Sequence, residues 1–538
     1  MSRALSLSFL LAAILPALAD KPLAEAASGI AGHLPAGGIV TGEWIKGKAS
    51  FSEHGTSGPA GIAPEKQLFE IGSISKVFTG ILLADSVLDG KVRYESTLKE
   101  LLGGEIAFKD SKVGNITLLQ LATHTSGLPR LPGNIGPNPD ASDDPYANYD
   151  RQLLHAYLAG AVIEGEPPYP AAYSNLGMGL LGDLLSELHG KPWEELVKEK
   201  ITTPLGMSDT VVTLSEFQEK RLAPPHRGAK EHHSWHFQAL AGAGALRSTA
   251  ADLLVFGKAL LAPRNSALAE PTQEAMKTRA PYNDFGAEIG LGIIIGKIDG
   301  DPVFEHSGGT GGYRSMLQVI PARETVRVVL INNDAMPAES VVRATRDAPL
   351  GNVATVELPA EELDAYVGVY QMGPKAIFTV LRVDDELRIR LTGQPFAPVK
   401  PVGDDRFRYQ SIAAEIQFKR VDEKVASLTL LQNGRELAAR RIDQPVPELQ
   451  FPAVDEWKEL TGEYELSPDQ VITVSIKGHT LFAQVTGQPP YPVFQTKPGH
   501  FAYDVVDAEI EFERESPATP VTGLVLHQNG EHRAKKRP

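Results

Sequence analysis

The sequence predicts an α+β protein: an antiparallel sheet flanked by helices, followed by two small antiparallel β-barrels. Three observations predict it. Up to about residue 350, leucine-rich helical patterns such as Leu180-Leu181, Leu184-Leu185 and Leu188 alternate with strand-like runs such as Val326-Arg327-Val328-Val329-Leu330-Ile331. Beyond that point short runs alternate apolar and polar residues with period two. That second part also repeats itself at a constant offset of 94 residues, and chance does not hold a register so long.

At 538 residues the chain exceeds one ordinary core, so two to four domains are expected. Residues 1–19 read as a cleavable export signal: Arg3 at the start, an apolar stretch from Leu5 to Leu15, then Ala17-Leu18-Ala19 as an A-x-A cleavage site. The expected location is a bacterial periplasm or the secreted space. The residue after the site is Asp20 and not cysteine, so no lipid anchor is expected, and no apolar run is long enough to stay inserted in a membrane. The formal charge of −15 argues against nucleic acid or anionic lipid as a partner. The absence of cysteine excludes disulfides and thiol catalysis and argues against a structural zinc site. No cofactor or metal is called for. The sequence is silent on oligomeric state.

Within residues 20–350 the first chemical signal is Ser73-Ile74-Ser75-Lys76. Ile81, Leu82, Leu83, Val87 and Leu88 place it at the start of a helix from about Ser73 to Leu88, with Gly90 ending it. Positions i and i+3 share a helix face, so the serine hydroxyl and the lysine amine can meet. A desolvated lysine has a lowered pKa and can take the proton that makes a serine nucleophilic. On its own the tetrapeptide reads better as an N-cap serine beside a solvated lysine than as a catalytic pair. Next comes Tyr173-Ser174-Asn175 ahead of a helix rich in Leu and Gly, with Asn175 as its expected N-cap. The stretch from Gly242 to Thr249 precedes Asp252 and a further helical pattern; Arg247 is a candidate for a substrate carboxylate, while Ser248, Thr249 and Asp252 read as helix-start residues. His306-Ser307-Gly308-Gly309 ends a strand-like run before the turn Thr310-Gly311-Gly312. His232, His233 and His236 cluster locally; they read as a polar loop, not a metal site.

The repeat pairs Gly368-Val369-Tyr370 with Gly462-Glu463-Tyr464, Leu391-Thr392-Gly393-Gln394-Pro395 with Val485-Thr486-Gly487-Gln488-Pro489, and Glu415-Ile416-Gln417-Phe418 with Glu509-Ile510-Glu511-Phe512. Asp384-Asp385 separates two alternating runs as a turn. The copies are expected over residues 357–444 and 452–538, each of a size that suits a small barrel.

The combination S-x-x-K, Y-x-N and H-x-G, in this order and spacing, resembles the penicillin-recognising serine hydrolases. It is most like the branch that holds class C β-lactamases, D-alanyl-D-alanine carboxypeptidases, D-aminopeptidases and β-lactamase-like esterases. The run from Ile116 to Pro129 is similar to the family's segment between the first and second motifs, and the resemblance covers about residues 35–345. It implies a β-lactamase/transpeptidase-like fold for residues 20–350. The 94-residue repeats resemble, more loosely, the lipocalin-like domains that follow such domains in some relatives. The roles it implies are Ser73 as the acylated nucleophile, with Lys76 and Tyr173 sharing its proton. A neighbouring ammonium is expected to lower the Tyr173 pKa. Asn175 is expected to orient Lys76 and the substrate amide, with His306, Ser307 and Gly308 lining the substrate strand. The backbone N–H groups of Ser73 and Gly309 are the implied oxyanion hole.

One departure shapes the functional expectation. β-Lactamases of this branch usually carry Lys-Thr-Gly where this chain has His306-Ser307-Gly308. A histidine loses its charge as pH rises, so carboxylate binding there is expected to weaken with pH. D-amino-acid peptides, small amides or esters therefore rank above β-lactams as substrates. A β-lactamase is the alternative among enzymes. A ligand- or penicillin-binding protein with little turnover is the alternative of another class. A barrel that caps the active-site cleft is a further expectation.

Overall fold

The structure is a computed structural model that describes residues 21–136, 144–283, 285–346, 355–374, 376–409, 414–432, 435–467, 470–486, 488, 490–514, 516, 519–528 and 530–537. The export segment 1–19 lies outside the described residues, as do Gly487 and Pro489 of the repeat. Among the described residues no helix is long and apolar enough to cross a membrane.

The first unit is built on one eight-stranded sheet. Helix α1 (Leu23–Ala31) leads into the hairpin β1 (Gly38–Ile45) and β2 (Lys48–Gly55). Then come α2 (Ser75–Leu88), α3 (Asn175–His189) and α4 (Ala250–Leu261). The chain returns to the sheet as β3 (Ile294–Ile298), β4 (Asp301–Gly309), β5 (Arg314–Ile320) and β6 (Thr325–Ile331), before α5 (Glu339–Ala344). The sheet order is β2-β1-β6-β5-β4-β3, extended by two short strands at Glu288–Ile289 and Ala280–Pro281. Consecutive strands of this meander pair antiparallel, and β1 closes on β6 with Val40 opposite Leu330.

Both faces of the sheet are covered, which explains the near-continuous apolar run of β6. Val326, Val328 and Leu330 join the main core with Phe78 of α2 and Leu253 and Phe256 of α4. Val329 and Ile331 point the other way, into a smaller core with Leu23 and Ala27 of α1 and Val341 of α5. Phe78 and Phe256 stack at 4.1 Å between ring centroids and anchor α2 against α4. Small residues let the helices approach: a Cβ on Gly182 of α3 would stand 2.8 Å from the Gly242 Cα.

Two closed eight-stranded antiparallel barrels follow, over residues 368–442 and 462–536. In each the first strand pairs with the last, Val369 with Ile442 and Tyr464 with Lys536. The repeat extends to individual bonds. The Tyr370 hydroxyl donates to the Tyr366 carbonyl at 2.7 Å, and its equivalent Tyr464 donates to the Leu460 carbonyl at 2.7 Å. Phe407 and Phe418 meet edge to face at 5.5 Å, and Phe501 and Phe512 at 5.6 Å. Asp384 takes φ +52° in the tight turn expected of it, between Val383 and its cross-strand partner Glu386.

The first barrel meets the sheet across a cavity of about 650 Å³, lined by Glu305, Met316 and Gln318 from the sheet and by Phe378, Ile389 and Tyr409 from the barrel. Successive strand residues point to opposite faces, so Glu305 lies behind His306. The expectation that this barrel caps the Ser73 cleft is therefore corrected: it docks on the opposite face of the sheet. The barrels join each other through the Arg390–Asp504 ion pair, with the Arg390 guanidinium 4.2 Å over the Phe494 ring.

Candidate active site

The α-helical part of the Ser73 element starts two residues later than the sequence suggests. Gly72–Ile74 form a 3₁₀ turn and α2 begins at Ser75. Gly72 causes this, with φ +48°. The turn leaves Ser73 partly exposed at the mouth of the element while Lys76 is fully buried behind it. Helix α2 ends as expected, with Gly90 at φ +69° just beyond it.

Ser73 and Lys76 are brought together. The Lys76 amine is 2.9 Å from the Ser73 hydroxyl and donates to the Ala243 carbonyl at 2.6 Å. Burial, and secondly the charge of Arg130, hold the Lys76 pKa well below its ordinary value. Among the described residues no carboxylate pairs with it, so the amine is favoured in its neutral form. Tyr173 completes the group: its hydroxyl is hydrogen-bonded to Ser73, and Lys76 Nζ sits 4.8 Å over its ring. The expected lowering of the Tyr173 pKa is corrected. Burial raises it, and the Ser73 hydrogen bond and Arg130 offset only part of that rise. A neutral Lys76 supplies no ammonium to do more. Of the two, Lys76 is the stronger candidate base.

Asn175 is not the N-cap of α3. Ser174 is: its hydroxyl accepts from the Gly177 N–H at 2.9 Å and donates to the Pro129 carbonyl at 2.7 Å. This frees the Asn175 side chain from capping. Its amide nitrogen donates to the Tyr146 hydroxyl at 2.9 Å, and its buried Oδ1 has no hydrogen-bond partner among the described residues. The expected contact with Lys76 is replaced by the Ala243 carbonyl, which a serial reading of motifs could not supply. His124, at φ +59°, packs its ring 4.7 Å from that of Tyr173. Its Nδ1 accepts from the Ser174 N–H at 3.2 Å, which places the proton of the neutral ring on Nε2.

His306, Ser307 and Gly308 lie on β4 beside this group. His306 is buried, and its Nδ1 donates to the Ser307 carbonyl at 2.6 Å. Burial, and next the nearby Lys76, push its pKa down to about 3. The expected loss of carboxylate binding with rising pH is therefore corrected: the ring is already disfavoured as a cation well below neutral pH. The strand fits against the Ser73 turn because it carries glycines. A Cβ on Gly308 would stand 2.0 Å from the Ile71 carbonyl oxygen, and one on Gly72 would stand 2.7 Å from the Gly309 nitrogen. The Ser315 hydroxyl pins the contact by donating to the Ile71 carbonyl at 2.8 Å. The backbones of residues 72–73 and 309 thus run side by side, as two converging N–H donors require.

Arg247 does not reach the cleft. Its guanidinium is buried, bonding Glu70 at 3.1 Å and the Trp235 carbonyl at 2.9 Å, while Glu70 also accepts from the Trp235 N–H at 2.9 Å. Arg247 therefore positions Trp235, which forms an aromatic wall with Tyr146 and Phe237; Tyr146 and Phe237 stack at 4.5 Å. His236 is bound to Asp144 at 2.6 Å, and among the described residues no group of three His, Asp or Glu side chains could hold a metal ion. Tyr146 and Arg130 are site residues that the motifs did not announce. Each is a single position in an irregular loop, with no periodicity or spacing to mark it.

A family model described as Beta-lactamase matches residues 36–352. The chain is 29% identical over 302 residues to a D-alanyl-D-alanine-carboxypeptidase/endopeptidase, AmpH, of Escherichia coli, covering 53% of this chain and 77% of that protein. It is 25% identical over 410 residues to penicillin-binding protein 4* of Bacillus subtilis, covering 70% and 87%. A solved class C beta lactamase from Rhodobacter sphaeroides aligns with 60% of this chain and 97% of its own at 21% identity and a TM-score of 0.49.

Proposed function

The chain belongs to the beta-lactamase family of serine hydrolases, and from that premise we propose that it is an exported hydrolase acting through a Ser73 acyl-enzyme on D-amino-acid peptides, small amides or esters. The observation that carries this is the buried Lys76 amine 2.9 Å from the Ser73 hydroxyl, its pKa held well below the ordinary value by burial. Lys76 takes the Ser73 proton as the oxygen attacks the carbonyl carbon. The resulting oxyanion lies between the backbone N–H groups of Ser73 and Gly309. The tetrahedral adduct then collapses, breaking the bond to the leaving group, which takes a proton from the Lys76 ammonium or the Tyr173 hydroxyl. Water releases the acyl group by the reverse proton path. Asn175 holds the substrate amide, with Tyr146 fixing the orientation of its side chain. Export rests on residues 1–19.

Substrate rank follows from His306. A buried neutral ring offers no cation where β-lactamases of this branch usually have lysine, so β-lactam hydrolysis stands second. Purified protein and a Ser73→Ala variant, each given a fluorescent penicillin, p-nitrophenyl esters and D-alanyl p-nitroanilide, separate the readings. Equal activity in the variant ends the mechanism. Fast penicillin turnover promotes the β-lactamase reading. No labelling or turnover at all favours a binding protein.

A further inference from the structure

With Arg247 committed to Glu70 and His306 neutral, neither cation expected from the sequence is free for a substrate anion. Arg130 is. It is exposed, in the loop that follows Pro129, and its guanidinium lies 5.2 Å over the Tyr173 ring. Apart from that ring, its side chain has no hydrogen-bond or ion-pair partner among the described residues. Its carbonyl accepts from the N–H groups of Asn175 and Leu176, so the residue is fixed to the start of α3 while its charged end faces the site. The charge is felt at Lys76, Tyr173, His124 and Tyr282.

We propose that Arg130 is the carboxylate receptor of the Ser73 site, so that the preferred substrates carry a free carboxylate next to the scissile bond. The proposal rests on the acyl-enzyme reading above and adds the substrate's charge to it. A guanidinium held flat on an aromatic face keeps its N–H edge available, which suits bidentate pairing with a carboxylate. The pairing forms in ground state and transition state alike, so its loss falls mainly on KM.

The test uses the full-length enzyme and two substrates: an acylated D-alanyl-D-alanine with its carboxylate free, and the same dipeptide as its C-terminal amide. A p-nitrophenyl ester serves as the uncharged control. Arg130→Met keeps length and stacking but removes the charge; Arg130→Lys keeps the charge. Rates are taken on each variant's pH plateau, because losing the charge also relaxes Lys76. In Arg130→Met, kcat/KM on the free acid is expected to fall roughly 10–100-fold, with the amide and ester changing less than about 3-fold, and Arg130→Lys to recover part of the loss. A wild type that treats acid and amide alike, or an Arg130→Met that lowers both equally, overturns the assignment. Ester turnover with neither dipeptide cleaved overturns it too. Hydrolysis that persists in Ser73→Ala instead brings down the underlying reading.

Discussion

Gly72 and Gly309 touch backbone to backbone: a Cβ on Gly72 would stand 2.7 Å from the Gly309 nitrogen and 2.9 Å from its carbonyl oxygen. Gly72 also sits at φ +48°, where a side chain is strained. Gly72→Ala should push β4 away from the Ser73 turn and spoil the pair of converging N–H donors. The expected loss is roughly 10²–10³-fold in kcat, with the circular dichroism spectrum kept. Unchanged ester hydrolysis would remove the oxyanion role from this contact.

Lys76 ties activity and stability to pH in the same direction. Its folded pKa lies well below the ordinary 10.5. Between those two values the unfolded chain binds a proton that the folded chain lacks, so wild-type stability rises with pH across that window, by up to about 1.4 kcal/mol per pH unit. Lys76→Met has no such proton. Urea unfolding followed from pH 7 to 10 should show the wild type gaining on the variant as pH rises. Acylation has the matching sign: it holds while the amine is neutral and falls as acid protonates it. A flat stability difference across that range would mean Lys76 is charged in the fold.

Tyr146 acts on the chemistry through Asn175. Removing its hydroxyl in Tyr146→Phe leaves the Asn175 amide nitrogen without the partner now 2.9 Å away. The ring stack on Phe237 is untouched. The expected result is a fall of roughly 10-fold in kcat/KM for amide substrates, in line with about 1–1.5 kcal/mol for one neutral hydrogen bond, and a smaller one for esters. Equal losses on both would show that Asn175 does not read the substrate amide.

Arg390 and Asp504 form an ion pair with side chains 9% exposed on each side. Burial shifts both against ionisation, lowering the Arg390 pKa and raising that of Asp504. Desolvation thus outweighs attraction, yet breaking the pair leaves one charge stranded. Asp504→Leu alone should cost about 3–5 kcal/mol, whereas Arg390→Met with Asp504→Leu should be near neutral. Calorimetry of the barrel transition distinguishes them; additive losses would contradict this balance.

What the sequence could reveal divides along physical lines. Helix α2 and the barrel strands were legible because burial imprints a period on many residues at once, as in Ile81 to Leu88 or Phe378 to Val383. Ser73, Lys76 and Tyr173 were legible as a motif. Their protonation was not, since burial of Lys76 and His306 comes from segments far away in the chain, Ala243 among them. Asn175 and Ser174 exchanged roles for the same reason. Both suit an N-cap by type, and only the contact with the Pro129 carbonyl shows that the Ser174 hydroxyl is the side chain held there. Arg247 read as free because its partner Glu70 lies 177 residues earlier in the sequence.

The joint between the barrels has a consequence for the order of the two copies. At the 94-residue offset, Arg390 corresponds to Gln484 and Asp504 to Gln410. The first copy thus carries the cation and the second the anion, and neither carries both. The joint is therefore heterologous, each copy presenting a different face to it. With the two copies exchanged in order, Gln484 and Gln410 would come to the joint in place of Arg390 and Asp504, so the ion pair fixes which copy stands first.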